Sequence, residues 1–345
     1  MTRIADITRP TWGRRTLLLA ALLVGAIGVA RGEPGFRQAP DALLEGEVMA
    51  VAYSGFREGQ HPDRGAGAVN PSPQEILEDL RILERAGFRL IRLYDAGDNS
   101  RVTLELIREH RLPLKVLLGM WLSAELSNHE GCPWLTEPIP AATLAANTVA
   151  NAAEIERGIA LANAYPEIVV AVNVGNEALV DWNDHMMSVE GVIAYVRQVK
   201  GRIAQPVTVA DNYVWWINEG AALARELDFV GVHTYPQWEG KTIDEALAYT
   251  IENVEGVHAA LPDSRLAVLE AGWATTAVEF GDRAGEAMQQ RYYEELRAWA
   301  TRTNTTVFFF EAFDEPWKGD PGSPLGAEKH WGLYFVDRTP KQAMR

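Results

Sequence analysis

The chain has 345 residues, 47% of them hydrophobic, and a net charge of −15. That length suits one large barrel or two smaller domains, and the apolar share excludes a disordered chain. Residues 1–30 carry +3 (Arg3, Arg9, Arg14 and Arg15 against Asp6), leaving −18 on the body. Such a body excludes nucleic acid and other anionic polymers as expected partners, while a neutral polymer would meet no repulsion.

In chain order, residues 1–30 read first as an export signal. Basic residues precede an apolar run at 17–30 that is shorter than the ~20 residues a membrane-spanning helix needs and ends in small residues. Arg14-Arg15-Thr16-Leu17-Leu18 bears a faint likeness to a twin-arginine signal. The alternative is an uncleaved anchor at 16–30. On either reading the body is expected to be exported, periplasmic or secreted, with any membrane attachment made through the N-terminus. Residues 31–46 read as a polar connector and 47–345 as the folded body. Strands are expected at 48–54, 88–94, 113–119, 168–174, 206–210, 229–233, 265–269 and 306–311. Between them lie helical stretches: one opened by the capping box Ser72-Pro73-Gln74-Glu75 and closed at Gly87, then 103–110, 151–164, 189–203, 217–226, one from the capping box at Thr242 to about 261, and 289–301. Residues 120–147 form the longest excursion and read as a functional loop or lid. Eight strands alternating with helices predict a single (β/α)8 TIM barrel with an irregular C-terminal segment at 312–345.

The strand ends carry the candidate chemistry. Glu177 follows the run at 168–176, and Glu270 follows the run at 265–269. In such a barrel, all strand C-termini open onto the face where catalytic groups collect. Two carboxyl groups across that face are the minimal equipment for cleaving a glycosidic bond. Arg92 shares a strand face with Phe88 and Leu90, so period-two alternation aims it into the barrel mouth, where it would favour ionised Glu270; a structural ion pair is the alternative. Cys132 is the only cysteine, which rules out an internal disulfide, and no activating base accompanies it. The seven histidines show no metal-ligand spacing, and no Gly-rich phosphate loop follows a strand, so neither a metal nor a cofactor is expected.

Four segments together resemble glycoside hydrolase family 17, a retaining family of the (β/α)8 clan, from about residue 48 to 341. Val174-Gly175-Asn176-Glu177-Ala178-Leu179 is similar to its acid/base motif and Glu270-Ala271-Gly272-Trp273 to its nucleophile motif. The segments from Glu311 to Lys318 and from Glu328 to Gly332 are similar to the stretch after its last strand. Ala271 stands where that family often has Thr or Ser. The resemblance implies Glu177 as general acid/base and Glu270 as nucleophile of a double displacement on β-1,3-glucan. From its place at a strand end, Tyr235 would donate a hydrogen bond to Glu270, with a core tyrosine whose hydroxyl is satisfied as the alternative, and Asn176 would bind the sugar 2-hydroxyl, with a strand-end turn residue as the alternative. Glu315 and Lys318 would brace the site, with a surface ion pair as the alternative. Eleven tryptophans is a high count, and Trp273 and Trp317 are the leading candidates to stack on sugar rings. Hydrolysis is the leading expectation. Transfer to another glucan through the same glycosyl-enzyme is the alternative, and a non-catalytic glucan-binding barrel is a distant third.

Overall fold

Eight parallel strands pair in chain order: β1 (Met49–Ala52), β2 (Leu90–Arg92), β3 (Lys115–Met120), β4 (Val169–Asn176), β5 (Val207–Asn212), β6 (Val230–His233), β7 (Leu266–Gly272) and β8 (Val307–Phe310). β8 returns to pair with β1, so the sheet closes on itself as the expected barrel. The computed structural model describes residues 36–39, 43–63 and 67–345; the expected export signal and part of the connector lie outside them. Among the described residues, no helix is long and apolar enough to cross a membrane.

The strands are runs of Val, Leu, Ala and Phe because both faces are buried, as in other all-parallel sheets. One face fills the barrel with a cluster that includes Leu90, Leu117, Phe229, Leu269 and Phe308. The opposite faces pack under the helices. The connector corrects one expectation. Phe36, Leu43 and Leu44 are buried, and the two leucines join the inner cluster. Three apolar side chains in a polar stretch are enough to dock it, because the barrel base offers apolar surface that would otherwise stay wet.

The helices are α1 (Pro73–Arg85), α2 (Asp98–His110), α3 (Ala141–Ala164), α4 (Val189–Lys200), α5 (Tyr213–Asn218), α6 (Ala221–Ala224), α7 (Ile243–Ala260) and α8 (Glu286–Thr303). Both capping boxes form, Ser72 with Glu75 and Thr242 with Glu245. α3 begins at Ala141 rather than 151. Its first turns are alanine-rich and largely exposed, so helix propensity alone extends it and no apolar period announces it. The expected helix at 217–226 is instead the pair α5 and α6. They are parted at Gly220, where a Cβ would lie 2.4 Å from the Trp216 ring.

After β8 the chain forms no closing helix. Bridges Phe313 to Tyr334 and Tyr334 to Pro340 fold the C-terminal segment back, and buried ions fasten it. Lys341 Nζ meets Asp314 at 2.7 Å. Arg338 donates to both Asp79 oxygens of α1 at 2.8 and 2.7 Å, and to the Gly55 carbonyl at 2.9 Å. It thereby ties the C-terminal segment to the β1–α1 loop. Arg338→Ala leaves buried Asp79 with half-buried Arg57, 2.9 Å away, as its remaining cation, and the Tyr53 hydroxyl 3.4 Å away. Removing one partner of a buried pair is costly, so a loss of roughly 3 kcal/mol in urea unfolding is expected. A change below 1 kcal/mol would show that this tie is not stabilising.

Candidate active site

β4 is irregular where it meets β5, its register shifting between Asn173 and Asn176. The chain then passes through Gly175 at φ 83° and Glu177 at φ 47°. Irregularities of this kind re-aim a side chain near a site. A left-handed non-glycine residue is strained, on the order of 1 kcal/mol, and here the backbone is anchored on both sides. Glu177 N–H donates to Ala210 O at 2.8 Å, and Asn183 Nδ2 donates to Glu177 O at 2.6 Å.

β7 runs through Gly272, so Glu270 belongs to the paired strand, opposite His233 of β6. Its carboxylate is 5% exposed and surrounded by donors. Arg92 Nη1 lies 2.9 Å and Tyr94 Oη 3.0 Å from Oε1, and Tyr235 Oη lies 2.5 Å from Oε2. Burial by itself pushes the Glu270 carboxyl up; the Arg92 charge and the Tyr235 and Tyr94 hydroxyls, with the His233 Nδ1–H 3.5 Å from Oε2, outweigh it and hold the group below its ordinary value. Glu270 is ionised at neutral pH.

Arg92, wholly buried, also donates to Leu269 O at 2.9 Å, meets His233 Nε2 at 3.1 Å and donates to Asn176 Oδ1. A guanidinium has only protons to offer. His233 Nε2 therefore accepts, and its proton sits on Nδ1, which donates to Glu177 Oε1 at 2.9 Å. That leaves Glu177 Oε2 as the oxygen able to carry an exchangeable proton. Glu177 is the more open carboxyl, its side chain 26% exposed. One ligand atom each from Glu177, His233 and Glu270 lies within 4.8 Å of the others. Two carboxylates and an imidazole could hold a metal, but Arg92 already supplies the positive charge there and would repel a divalent ion.

Glu315 and Lys318 are not a surface pair. Lys318 Nζ lies 2.6 Å from Glu311 and 2.8 Å from Glu315, and both carboxyls are 1% exposed. Ser54 Oγ and Phe56 N–H donate to Glu315 at 2.5 and 3.3 Å. Burial pushes Glu311 well up, whereas Lys318 and Ser54 outweigh burial at Glu315 and hold it low. One lysine thus neutralises one carboxylate, and Glu311 keeps its proton. Glu328 is half-buried and its carboxyl is raised by burial, with Glu177 and Glu270 adding to the effect against Lys318.

One sequence expectation is overturned. Trp273 is fully buried, donates to Arg283 O at 2.9 Å and packs on Tyr292 of α8. It follows the last residue of β7 and turns into the helix layer, so it presents no face to a sugar. Trp317 is half-buried, edge-on to Phe56 at 6.0 Å. Sequence reasoning missed Tyr94 and His233, each two residues from an expected site residue, Tyr94 just past β2 and His233 at the end of β6. It also missed Asp211, wholly buried beside Glu177, which accepts from Leu179 N–H and Asn212 N–H at 3.0 and 2.7 Å. Burial, and then Glu177, push the Asp211 carboxyl well up.

Residues 50–332 match the model of the BtgE/BtgC glycoside hydrolase domain. A glucan 1,3-beta-glucosidase of Arthroderma benhamiae is 27% identical over 320 residues, 87% of this chain and 92% of that protein. The putative glucan endo-1,3-beta-glucosidase btgC of Aspergillus niger is 26% identical over 80% of this chain, which spans 40% of that longer protein. Among solved structures, an endo-laminarinase from Formosa superposes with TM-score 0.74 at 24% identity, covering 87% of this chain and 86% of its own. A glycoside hydrolase family 17 beta-1,3-glucanosyltransferase from Rhizomucor miehei gives 0.65 at 22%, covering 86% and 96%.

Ionised Glu270 stabilises the fold at neutral pH, and that contribution fades as pH falls from the ordinary carboxyl range through the lower value of Glu270. In Tyr235→Phe the lost donor should move the Glu270 titration upward, read by NMR of carboxyl-labelled protein. An unchanged titration would mean that the Tyr235 hydroxyl does not hold this carboxylate.

Proposed function

The chain belongs to the BtgE/BtgC glycoside hydrolase domain family, within glycoside hydrolase family 17, and from that premise we propose that it is a retaining glycosidase acting on β-1,3-glucan. The observation that carries this reading is the approach of Glu177 and Glu270, whose nearest oxygens lie within 4.8 Å. Double displacement uses carboxyls about 5–5.5 Å apart, whereas inversion leaves room for water at about 6.5–9.5 Å. The names of the Arthroderma and Aspergillus relatives support β-1,3-glucan as the polymer. The basic residues and apolar run of 1–30 support export as an accompanying proposal.

The proposed chemistry uses the asymmetry of the two carboxyls. Glu270, ionised and held by three donors, attacks the anomeric carbon. Glu177, open to the cleft, gives its Oε2 proton to the departing glycosidic oxygen, and a glycosyl-enzyme forms at Glu270. Glu177, now a carboxylate, removes a proton from incoming water, and the ester is released with net retention. Arg92 and the two tyrosines keep the nucleophile charged until attack. Asn176, its Oδ1 engaged by Arg92, turns the donor end of its amide to the 2-hydroxyl. The Glu311–Glu315–Lys318 cluster braces the wall opposite, with Trp317 at its edge. A sugar hydroxyl in place of water would make the same enzyme a glucanosyltransferase.

Three measurements test this. Glu270→Ala should lose turnover of natural glucan by on the order of a thousandfold or more, and azide with an activated substrate should restore activity as an α-glycosyl azide. Wild-type-like activity in that variant would sink the assignment. Glu177→Ala should spare substrates with good leaving groups far more than natural glucan; equal losses on both would remove the acid role. The product profile from laminari-oligosaccharides then separates the outcomes: only shorter products mean hydrolysis, and longer ones mean transfer.

A further inference from the structure

Val207 and Val209 of β5 pack under the helix layer, and period-two alternation puts Asp211 next on that face. The pattern calls for an apolar residue there, yet the position holds a wholly buried carboxyl. Burying an acid is costly unless its hydrogen bonds are made. Its two oxygens accept from backbone amides: Oδ2 from Leu179 N–H at 3.0 Å and Oδ1 from Asn212 N–H at 2.7 Å. Burial, and then the Glu177 carboxyl, push the group up against those two amides, which favour its ionised form.

Those bonds bear on Glu177, whose left-handed φ of 47° is strained. Its N–H donates to Ala210 O at 2.8 Å, and Ala210 is the residue before Asp211. Two residues further on, Leu179 N–H is held by Asp211 itself. Between them, Asn183 Nδ2 donates to the Glu177 carbonyl at 2.6 Å and Met187 N–H to the Ala178 carbonyl at 2.8 Å. Asn212, the residue after Asp211, pairs with His233 of β6, whose Nδ1 donates to Glu177 Oε1 at 2.9 Å. Three successive residues of β5 are thus linked to the backbone or the side chain of Glu177. Ala210 acts through its carbonyl and Asn212 through strand pairing. Asp211 acts through a side chain, which substitution can remove.

We propose that Asp211 is a positioning residue for the general acid/base: its carboxyl holds residues 177–179 in the geometry that aims Glu177 at the departing glycosidic oxygen. This rests on the glycosidase reading above. Without that carboxyl the buried Leu179 amide loses its partner, and the strained turn is free to relax. A misplacement of about 1 Å can cost a hundredfold in rate. Glu270 takes its own holds from Arg92, Tyr94 and Tyr235, so nucleophilic attack should persist.

The test uses two variants. Asp211→Val fills the position with the residue type found at Val209, and Asp211→Asn keeps one acceptor. Both are compared with wild type on laminari-oligosaccharides and on a dinitrophenyl laminaribioside, whose leaving group needs no proton. Asp211→Val should lose roughly a hundredfold in kcat/KM on the oligosaccharides, with KM nearly unchanged, and under about threefold on the dinitrophenyl substrate. Asp211→Asn should fall between Asp211→Val and wild type, and thermal melting followed by circular dichroism shows whether each variant is folded. Equal losses on both substrates in a folded variant, or no loss on the oligosaccharides, would overturn the positioning role while leaving the glycosidase reading intact. Failure of both variants to fold would overturn it too, because the contact would then serve the fold alone. A wild-type protein inactive on both substrates would instead sink the glycosidase reading and this role with it.

Discussion

A guanidinium wholly buried at the mouth of a barrel organises this site. Taking Arg92 out of water is costly unless its donors find partners in good geometry, and both terminal nitrogens do while Nε has none. Its partners come from β4, β6 and β7: Asn176, His233, the Leu269 carbonyl and the Glu270 carboxylate. One side chain from β2 therefore fixes the relative positions of three other strand ends. It also decides protonation. Next to Arg92 the buried Glu270 stays charged, His233 must accept at Nε2, and the remaining imidazole proton is directed at Glu177. Of the two carboxyls, Glu270 is the one that touches the cation.

The same rule recurs around the C-terminal segment, which closes the barrel without a final helix. An apolar helix face would have held it by burial alone. Here Lys318, Arg338 and Lys341 each meet a buried carboxylate, Glu315, Asp79 and Asp314. Because ion pairs act at short range and in set directions, they fix position more narrowly than apolar contact does. The Lys318 cluster reaches the β1–α1 loop through Ser54 and Phe56, and Arg338 holds that same loop at Gly55. The segment after β8 is thus tied to the helix layer, which is how a segment with little regular structure can present fixed groups.

The barrel was legible because its signals are local. Apolar runs of strand length, capping boxes at Ser72 and Thr242, and the strand-end motifs each occupy a few residues, and the observed elements follow the expected ones with small shifts at their ends. Errors arose where local pattern and environment part. α3 is lengthened by exposed alanines that carry no periodic signal, and Phe36, Leu43 and Leu44 look like scattered apolar residues until the barrel base is present to receive them. Trp273 sits next to the Glu270 motif, yet β7 continues past that glutamate and sends the indole outward.

The sequence by itself determined the architecture, the strand-end places of Glu177 and Glu270 and the inward aim of Arg92, because strand periodicity and motif spacing are properties of contiguous residues. Only the tertiary structure decided that buried Glu270 is ionised, which nitrogen of His233 carries the proton, that Tyr94 and Tyr235 share Glu270, and that Glu311 stays neutral beside Lys318. Those outcomes depend on distances between residues far apart in the chain and on how completely each is removed from water. Charge and burial act through space, and the order of residues does not record them.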